Sequence, residues 1–163
     1  MRIVLDNSSA IFIARLGLFN TLQGCVWLMS SEVMEEIKKG VERGYRDAFI
    51  RMELIRTGRI QVLPTKQVET LRDKYQLTTA DASSLGLALE HQVILATEDE
   101  YQRKMAYVEG IHCTNTGALI YYACKQGNLR KKQALQLLDL LEKWGYRGDA
   151  ILKVKERILL EVN

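Results

Sequence analysis

Two short aliphatic runs, Ile3-Val4-Leu5 and Val93-Ile94-Leu95-Ala96, constrain the fold more than any other feature of this chain. Neither alternates apolar with polar residues, so each reads as a strand covered on both faces, the kind found in parallel sheets. Parallel strands need long crossover connections, usually helical. The residues before the second run supply one: Ala82, Leu85, Ala88 and Leu89 recur at helical spacing and predict a helix over Thr79 to His91.

The remaining segments extend that pattern. Strands are predicted at Cys25 to Leu28, Ile60 to Leu63 and Ile111 to Cys113. Helices are predicted from Ala10, from Leu18 to Leu22, from Ser31 to about Arg43, over Asp47 to Thr57, over Thr65 to Tyr75, and around Tyr101, Met105 and Val108. Three more follow: one opened by Asn115-Thr116-Gly117, one over Lys131 to Trp144, and one carrying Ile151, Val154 and Ile158. Strands and helices in this order argue a parallel sheet covered on both sides. With 163 residues, one proline (Pro64) and no low-complexity linker, the expectation is a single domain over 1–163. No apolar run is long enough to span a membrane and Met1-Arg2 leads straight into a strand, so a cytoplasmic location is expected. Cys25, Cys113 and Cys124 form no CxxC pair and read as reduced thiols. A formal charge of +3 is compatible with a polyanionic partner without demanding one.

Against that frame, four acids stand out. Asp6 follows the first strand and Asp99 lies three residues beyond Ala96, both at carboxyl ends of strands, where open α/β sheets place their ligand crevice. Asp81 falls on the same side of its helix as Leu85, Ala88 and Leu89 and heads the apolar stripe. In the helix after the second strand, Val33, Met34, Ile37 and Val41 define the apolar face; Glu36 lies on its boundary, and Glu35 points outward as a solvated charge. The competing reading of each acid is a helix cap or capping box, as in Thr78-x-x-Asp81 and Thr97-x-x-Glu100. Since parallel strands share a direction, Asp6, Glu36, Asp81 and Asp99 are expected at one edge of the sheet. Four negative charges without interleaved Lys or Arg call for a cation. Oxygen ligands favour Mg²⁺ or Mn²⁺, and Zn²⁺ fits less well because no Cys/His ligand spacing is present. The chemistry such a site performs is hydrolysis of phosphodiesters.

These residues also carry a family resemblance. Ile3-Val4-Leu5-Asp6-Asn7-Ser8 resembles the opening of a PIN-domain nuclease, where a hydrophobic strand ends in Asp-x-Ser/Thr. Val33-Met34-Glu35-Glu36-Ile37, Thr79-Ala80-Asp81-Ala82 and Ala96-Thr97-Glu98-Asp99 are similar to the family's later acidic motifs. The resemblance extends to about Ala123 and implies a three-layer α/β/α sandwich with a central parallel sheet, here with a helical C-terminus. It implies a Mg²⁺- or Mn²⁺-dependent endoribonuclease with Asp6, Glu36, Asp81 and Asp99 as catalytic metal ligands. It further implies the toxin of a VapBC-type toxin–antitoxin pair, with RNA as substrate and an antitoxin protein as partner. Many members carry another acid or hydroxyl after the last strand; Asn115-Thr116 stands there, and Thr116 would hold a water or a phosphate oxygen. That substitution argues against a tightly held second metal.

Other residues carry less weight. Ser8 reads as a cap or a ligand contact, and His91 and His112 as structural. Of Arg43, Arg46, Arg51, Arg56, Lys125, Arg130, Lys131 and Lys132, a minority is expected to follow a nucleic-acid backbone. Tyr121, Tyr122 and Trp144 read as core or interface, and the leucine-rich last helices as a homodimer surface. The alternative function is a catalytically silent module with the same fold, acting through protein or RNA partners. A haloacid-dehalogenase-like phosphatase would need Asp-x-Asp where Asp6-x-Ser8 stands. A dinucleotide-binding fold would need a glycine-rich turn in place of Asn7-Ser8-Ser9.

Overall fold

The structure, a computed structural model, describes residues 1–146 and 148–162. Five parallel strands form one sheet in the order β3-β2-β1-β4-β5: β1 (Arg2–Leu5), β2 (Val26–Ser30), β3 (Ile60–Leu63), β4 (Ile94–Ala96) and β5 (Cys113–Thr114). β1 is central. Ile3 lies between Trp27 and Ile94, and Leu5 between Met29 and Ala96. The chain first builds outward through β2 and β3, then returns to the other side of β1 with β4 and β5. That reversal makes the carboxyl ends of β1 and β4 the topological switch point, where open α/β sheets place their ligands.

The pleat divides the aliphatic run between two helical layers. Ile3 and Leu5 join Trp27, Met29 and Ile60 in a core shared with α1 (Asn7–Arg15), α2 (Leu18–Thr21), α3 (Ser31–Glu42), α4 (Arg46–Arg56), α8 (Thr116–Lys125), α9 (Lys131–Lys143) and α10 (Gly148–Glu161). Val4, Leu28 and Leu95 face α5 (Val68–Tyr75), α6 (Thr79–His91) and α7 (Glu100–Val108). This is the expected three-layer α/β/α sandwich, with a helical C-terminus. Among the described residues no helix is long and apolar enough to cross a membrane.

Two details differ from the sequence-based expectation. β5 is only two residues long, starting at Cys113, because it pairs with β4 alone at the sheet edge. The helix α6 has no solvated face: residues 82–88 are all buried, since α3, α5 and the sheet enclose it. An amphipathic stripe is therefore not what turns Asp81 inward; the half-buried Asp81 sits at the open amino-terminal end of an otherwise enclosed helix.

The α3–α4 pair depends on Gly40, where an added Cβ would lie 2.9 Å from Ala48 Cβ, itself fully buried. Gly40→Ala is expected to destabilise the protein by about 1–3 kcal/mol, the usual penalty for overpacking. Urea unfolding of the two proteins checks this, and an unchanged midpoint would show that the helices separate freely.

Candidate active site

The backbone first sets the acids in place. Asp6 N donates to Ala96 O at 3.1 Å, so the residue after β1 is stitched to the end of β4. Its side chain caps α1: Oδ1 accepts from Ser9 N at 2.7 Å and from Ser9 Oγ at 2.6 Å, and Oδ2 accepts from Ser8 Oγ at 2.7 Å. Burial raises the Asp6 carboxyl above the usual aspartate range, although the donors Ser9, Ser8 and Thr97 pull it back. Ser8 Oγ also accepts from Glu98 N at 3.4 Å, which ties Asp6 to the loop that carries Asp99.

Asp99 caps α7, accepting from Gln102 N at 2.6 Å. Thr97 Oγ1 accepts from Asp99 N at 3.0 Å, so the capping box expected between Thr97 and Glu100 is replaced by a cap at Asp99. Gln102 then reaches the third acid, with Nε2 donating to Asp81 O at 2.9 Å. The Asp81 carboxylate accepts from Thr78 Oγ1 at 2.7 Å, while Thr78 Oγ1 accepts from Asp81 N at 3.1 Å and caps α6. Glu36 Oε2 accepts from Asn7 Nδ2 at 2.8 Å, and Glu35 instead pairs with Lys38 at the surface. Asp6, Glu36, Asp81 and Asp99 thus lie along one hydrogen-bonded edge of the sheet. Capping is part of the arrangement and not an alternative to it.

All four are held by neutral donors. Among the described residues none of them forms an ion pair. Nor do three or more Asp, Glu, His or Cys side chains there form a preformed metal cage. The donor set nevertheless fits a hard cation, being made of carboxylate oxygens. The fully buried Gln102, which links Asp81 and Asp99, adds a carbonyl oxygen, Oε1, with no hydrogen-bond partner.

Sequence reasoning missed two supporting groups. The first is a relay through Asn7, whose Oδ1 accepts from Arg51 Nη1 at 2.5 Å while its Nδ2 holds Glu36. Arg51 is only 3% exposed, so it is not among the backbone-tracking cations expected on α4; Asp47 pairs with it at 2.7 Å. Nothing local in the sequence distinguishes it from Arg46 or Arg56. The second group is Glu98, beside Asp99. Thr116 N and Oγ1 donate to Glu98 Oε1 at 2.8 and 2.5 Å, and Tyr146 Oη donates to Oε2 at 2.5 Å. The Thr116 hydroxyl, expected to hold a water or phosphate oxygen, is buried and engaged by Glu98. Burial, and then the negative charge of Glu98, push the Tyr146 phenol up.

Glu98 therefore fastens the segment before α10 to the site. Tyr146→Phe removes one of its donors but keeps the edge contact with Phe12 at 5.8 Å between ring centres. A loss of about 1–2 kcal/mol is expected for a half-buried carboxylate deprived of one donor. Denaturant titration checks it, and a change within experimental error would mean that water replaces the phenol.

Comparison with known proteins agrees with this architecture. The sequence matches the family model DUF3368, a PIN domain, over residues 2–161. Among solved structures the chain is similar to a PilT N-terminus domain protein, SSO1118, from Sulfolobus solfataricus P2, with 15% identity and a TM-score of 0.52 over 76% of this chain and 93% of that one. It is also similar to PAE2754 from Pyrobaculum aerophilum, with 16% identity and a TM-score of 0.52 over 76% of this chain and 98% of that one. A third is the PIN domain endonuclease Utp24, with 19% identity and a TM-score of 0.51 over 71% of this chain and 84% of that one. At such identities these likenesses speak to the fold. Curated proteins give no match. The family model spans nearly the whole chain and its fold is the one described above, so this chain belongs to the PIN-domain family, whose fold is that of nucleases.

Proposed function

We propose that this chain is a Mg²⁺- or Mn²⁺-dependent endoribonuclease, with Asp6, Glu36, Asp81 and Asp99 holding the ion. One observation supports the reading: Asp6 and Asp99 follow the neighbouring strands β1 and β4, Gln102 ties Asp81 to Asp99, Asn7 ties Glu36 to the chain just after Asp6, and none of the four pairs with Lys or Arg among the described residues. A divalent ion there supplies Lewis acidity toward a phosphoryl oxygen and acidifies water near neutral pH. The protein's own part is positioning. Ser8 and Ser9 lock the Asp6 carboxylate, Asn7 aims Glu36, and Gln102 couples the start of α6 to that of α7. Burial keeps Asp6 out of bulk water, so its carboxylate would attract a cation more strongly than an exposed one.

The same reading makes the chain the toxin of a toxin–antitoxin pair, working in the cytoplasm, with RNA as substrate. A small DNA-binding protein encoded beside it would supply the antitoxin. The exposed Leu152, Leu159 and Leu160 of α10 support the homodimer expected from the sequence. A monodisperse monomer in a concentrated sizing experiment would overturn that part.

The test is cleavage of labelled single-stranded and structured RNA with Mg²⁺, Mn²⁺ or EDTA. Cleavage that needs the metal and disappears in Asp99→Asn supports the proposal. Metal binding without cleavage of any nucleic acid would favour the silent binding module.

A further inference from the structure

Two cavities adjoin beside Glu36. The first, of about 510 Å³, is lined by Asn7, Arg15, Glu36, Lys39, Arg43 and Tyr45, with Asp47 and the buried Arg51 behind them. The second, of about 350 Å³, shares Arg15 and Asp47 and adds Arg46, Ile50 and Trp144. The first holds four cations against two carboxylates, and Asp47 is shared between Arg51 at 2.7 Å and Arg15 at 3.4 Å. Lys39, Arg43 and Arg46 are exposed and have no acidic partner among the described residues. Two aromatic rings break up this basic surface. Tyr45 is exposed, and Trp144 is 38% exposed with the Arg15 guanidinium 5.7 Å from its ring centre. Trp144 is not in the core, one of the two places the sequence suggests for it; it closes α9 at the rim of a basic groove.

Isolated positive charges on a surface are common. What distinguishes this groove is that three unpaired cations, Lys39, Arg43 and Arg46, line it together with two exposed aromatic rings, and that its lining includes Glu36. Cations answer phosphates spaced along a backbone, and aromatic faces answer bases that are not already stacked. A duplex hides its base faces inside the stack and cannot use Trp144 or Tyr45 in this way.

We propose that the groove from Trp144 to Glu36 binds an unpaired RNA strand. Its phosphates lie along Arg46, Arg15, Arg43 and Lys39, its bases stack on Trp144 and Tyr45, and one phosphodiester is thereby brought to the carboxylate edge. This rests on the nuclease reading for its purpose, but the binding needs neither metal nor turnover.

The chain has two tryptophans. Trp27 is 1% exposed and packs against Phe19, so quenching by an added oligonucleotide reports on Trp144. The experiment titrates the full chain, in EDTA and low salt, with a 12-nucleotide single-stranded RNA, its DNA counterpart and the matching RNA duplex. The expected result is quenching by the single strands, with the duplex binding more weakly. By fluorescence anisotropy of labelled RNA, Trp144→Ala should bind about 10-fold or more weakly, whereas Trp144→Phe retains most affinity. Arg43→Ala should lower the salt dependence by about 0.7 log units per log unit of salt, the value for one lost phosphate contact to a single strand. Equal binding of the duplex, no binding of any oligonucleotide, or indifference to either Trp144→Ala or Arg43→Ala overturns the proposal. If RNA is cleaved but Trp144→Ala binds normally, the groove assignment fails and the nuclease reading stands. If strands bind at Trp144 but nothing is cleaved, the groove stands and the nuclease reading fails.

Discussion

Asp6→Asn is expected to lower RNA cleavage by about 10³-fold, equivalent to about 4 kcal/mol of transition-state stabilisation, with the fold intact. The amide retains one oxygen for the cap donors Ser9 N and Ser9 Oγ, and its Nδ2 donates to Ser8 Oγ, which rotates to accept. Stability should be unchanged or higher. Because burial raises the Asp6 carboxyl, the native state holds its proton more tightly than the unfolded chain does. Ionising it therefore costs stability as pH rises from the unfolded to the folded pKa, and the cost persists at neutral pH. Asparagine carries none of it. Wild type should gain melting temperature with Mg²⁺ or Mn²⁺ as the ion binds the native state alone, and the variant should lose that gain. For the same reason metal loading by wild type should fail, on acidification, at a higher pH than an ordinary aspartate would give. Thermal melts across pH with and without metal check all three; a variant that cleaves like wild type would remove Asp6 from the site.

The largest effect on stability is expected for Asp47→Ala. Arg51 is buried, burial pulls its pKa down, and Asp47 is the carboxylate that counters this at 2.7 Å. Removing the partner strands a buried guanidinium, at a cost of about 3–5 kcal/mol. Arg51→Met removes the charge and keeps the volume, so it should cost much less. Function should order the two variants differently. Without Arg51, Asn7 loses the donor that fixes its Oδ1, and Asn7 is the group that holds Glu36. Arg51→Met should therefore lose about 10- to 100-fold in metal affinity or cleavage while remaining folded, as is usual when a group behind a metal ligand is removed. Denaturant midpoints and metal titration of the two variants separate the effects. If Arg51→Met binds metal like wild type, the relay is a structural tie and nothing more.

The exposed α10 leucines and Trp144 lie in the leucine-rich C-terminal segment, after the last strand. The solved neighbours are matched over 93% and 98% of their own chains but over only 76% of this one, so this chain adds residues to the shared fold.

Much of the fold was legible in the sequence because the parallel sheet writes itself locally. Unalternating runs such as Ile3-Val4-Leu5 can only be strands covered on both sides, and the helix from Thr79 to His91 is bounded as expected because Thr78 is a cap by composition. Helical spacing alone also placed Glu36 nearer the apolar face than Glu35, and Glu36 is half-buried where Glu35 is exposed. Where sequence reasoning fell short, the deciding contacts join residues distant along the chain. Asn7 meets Arg51 across 44 positions, Glu98 meets Tyr146 across 48, and the enclosure of α6 depends on α3 and α5 together. Whether an arginine is solvent-facing or buried, or a tryptophan is core or groove wall, is set by which helices pack over it. Periodicity records which face of one element is apolar; only the tertiary arrangement decides what that face, and the charges at its rim, come to touch.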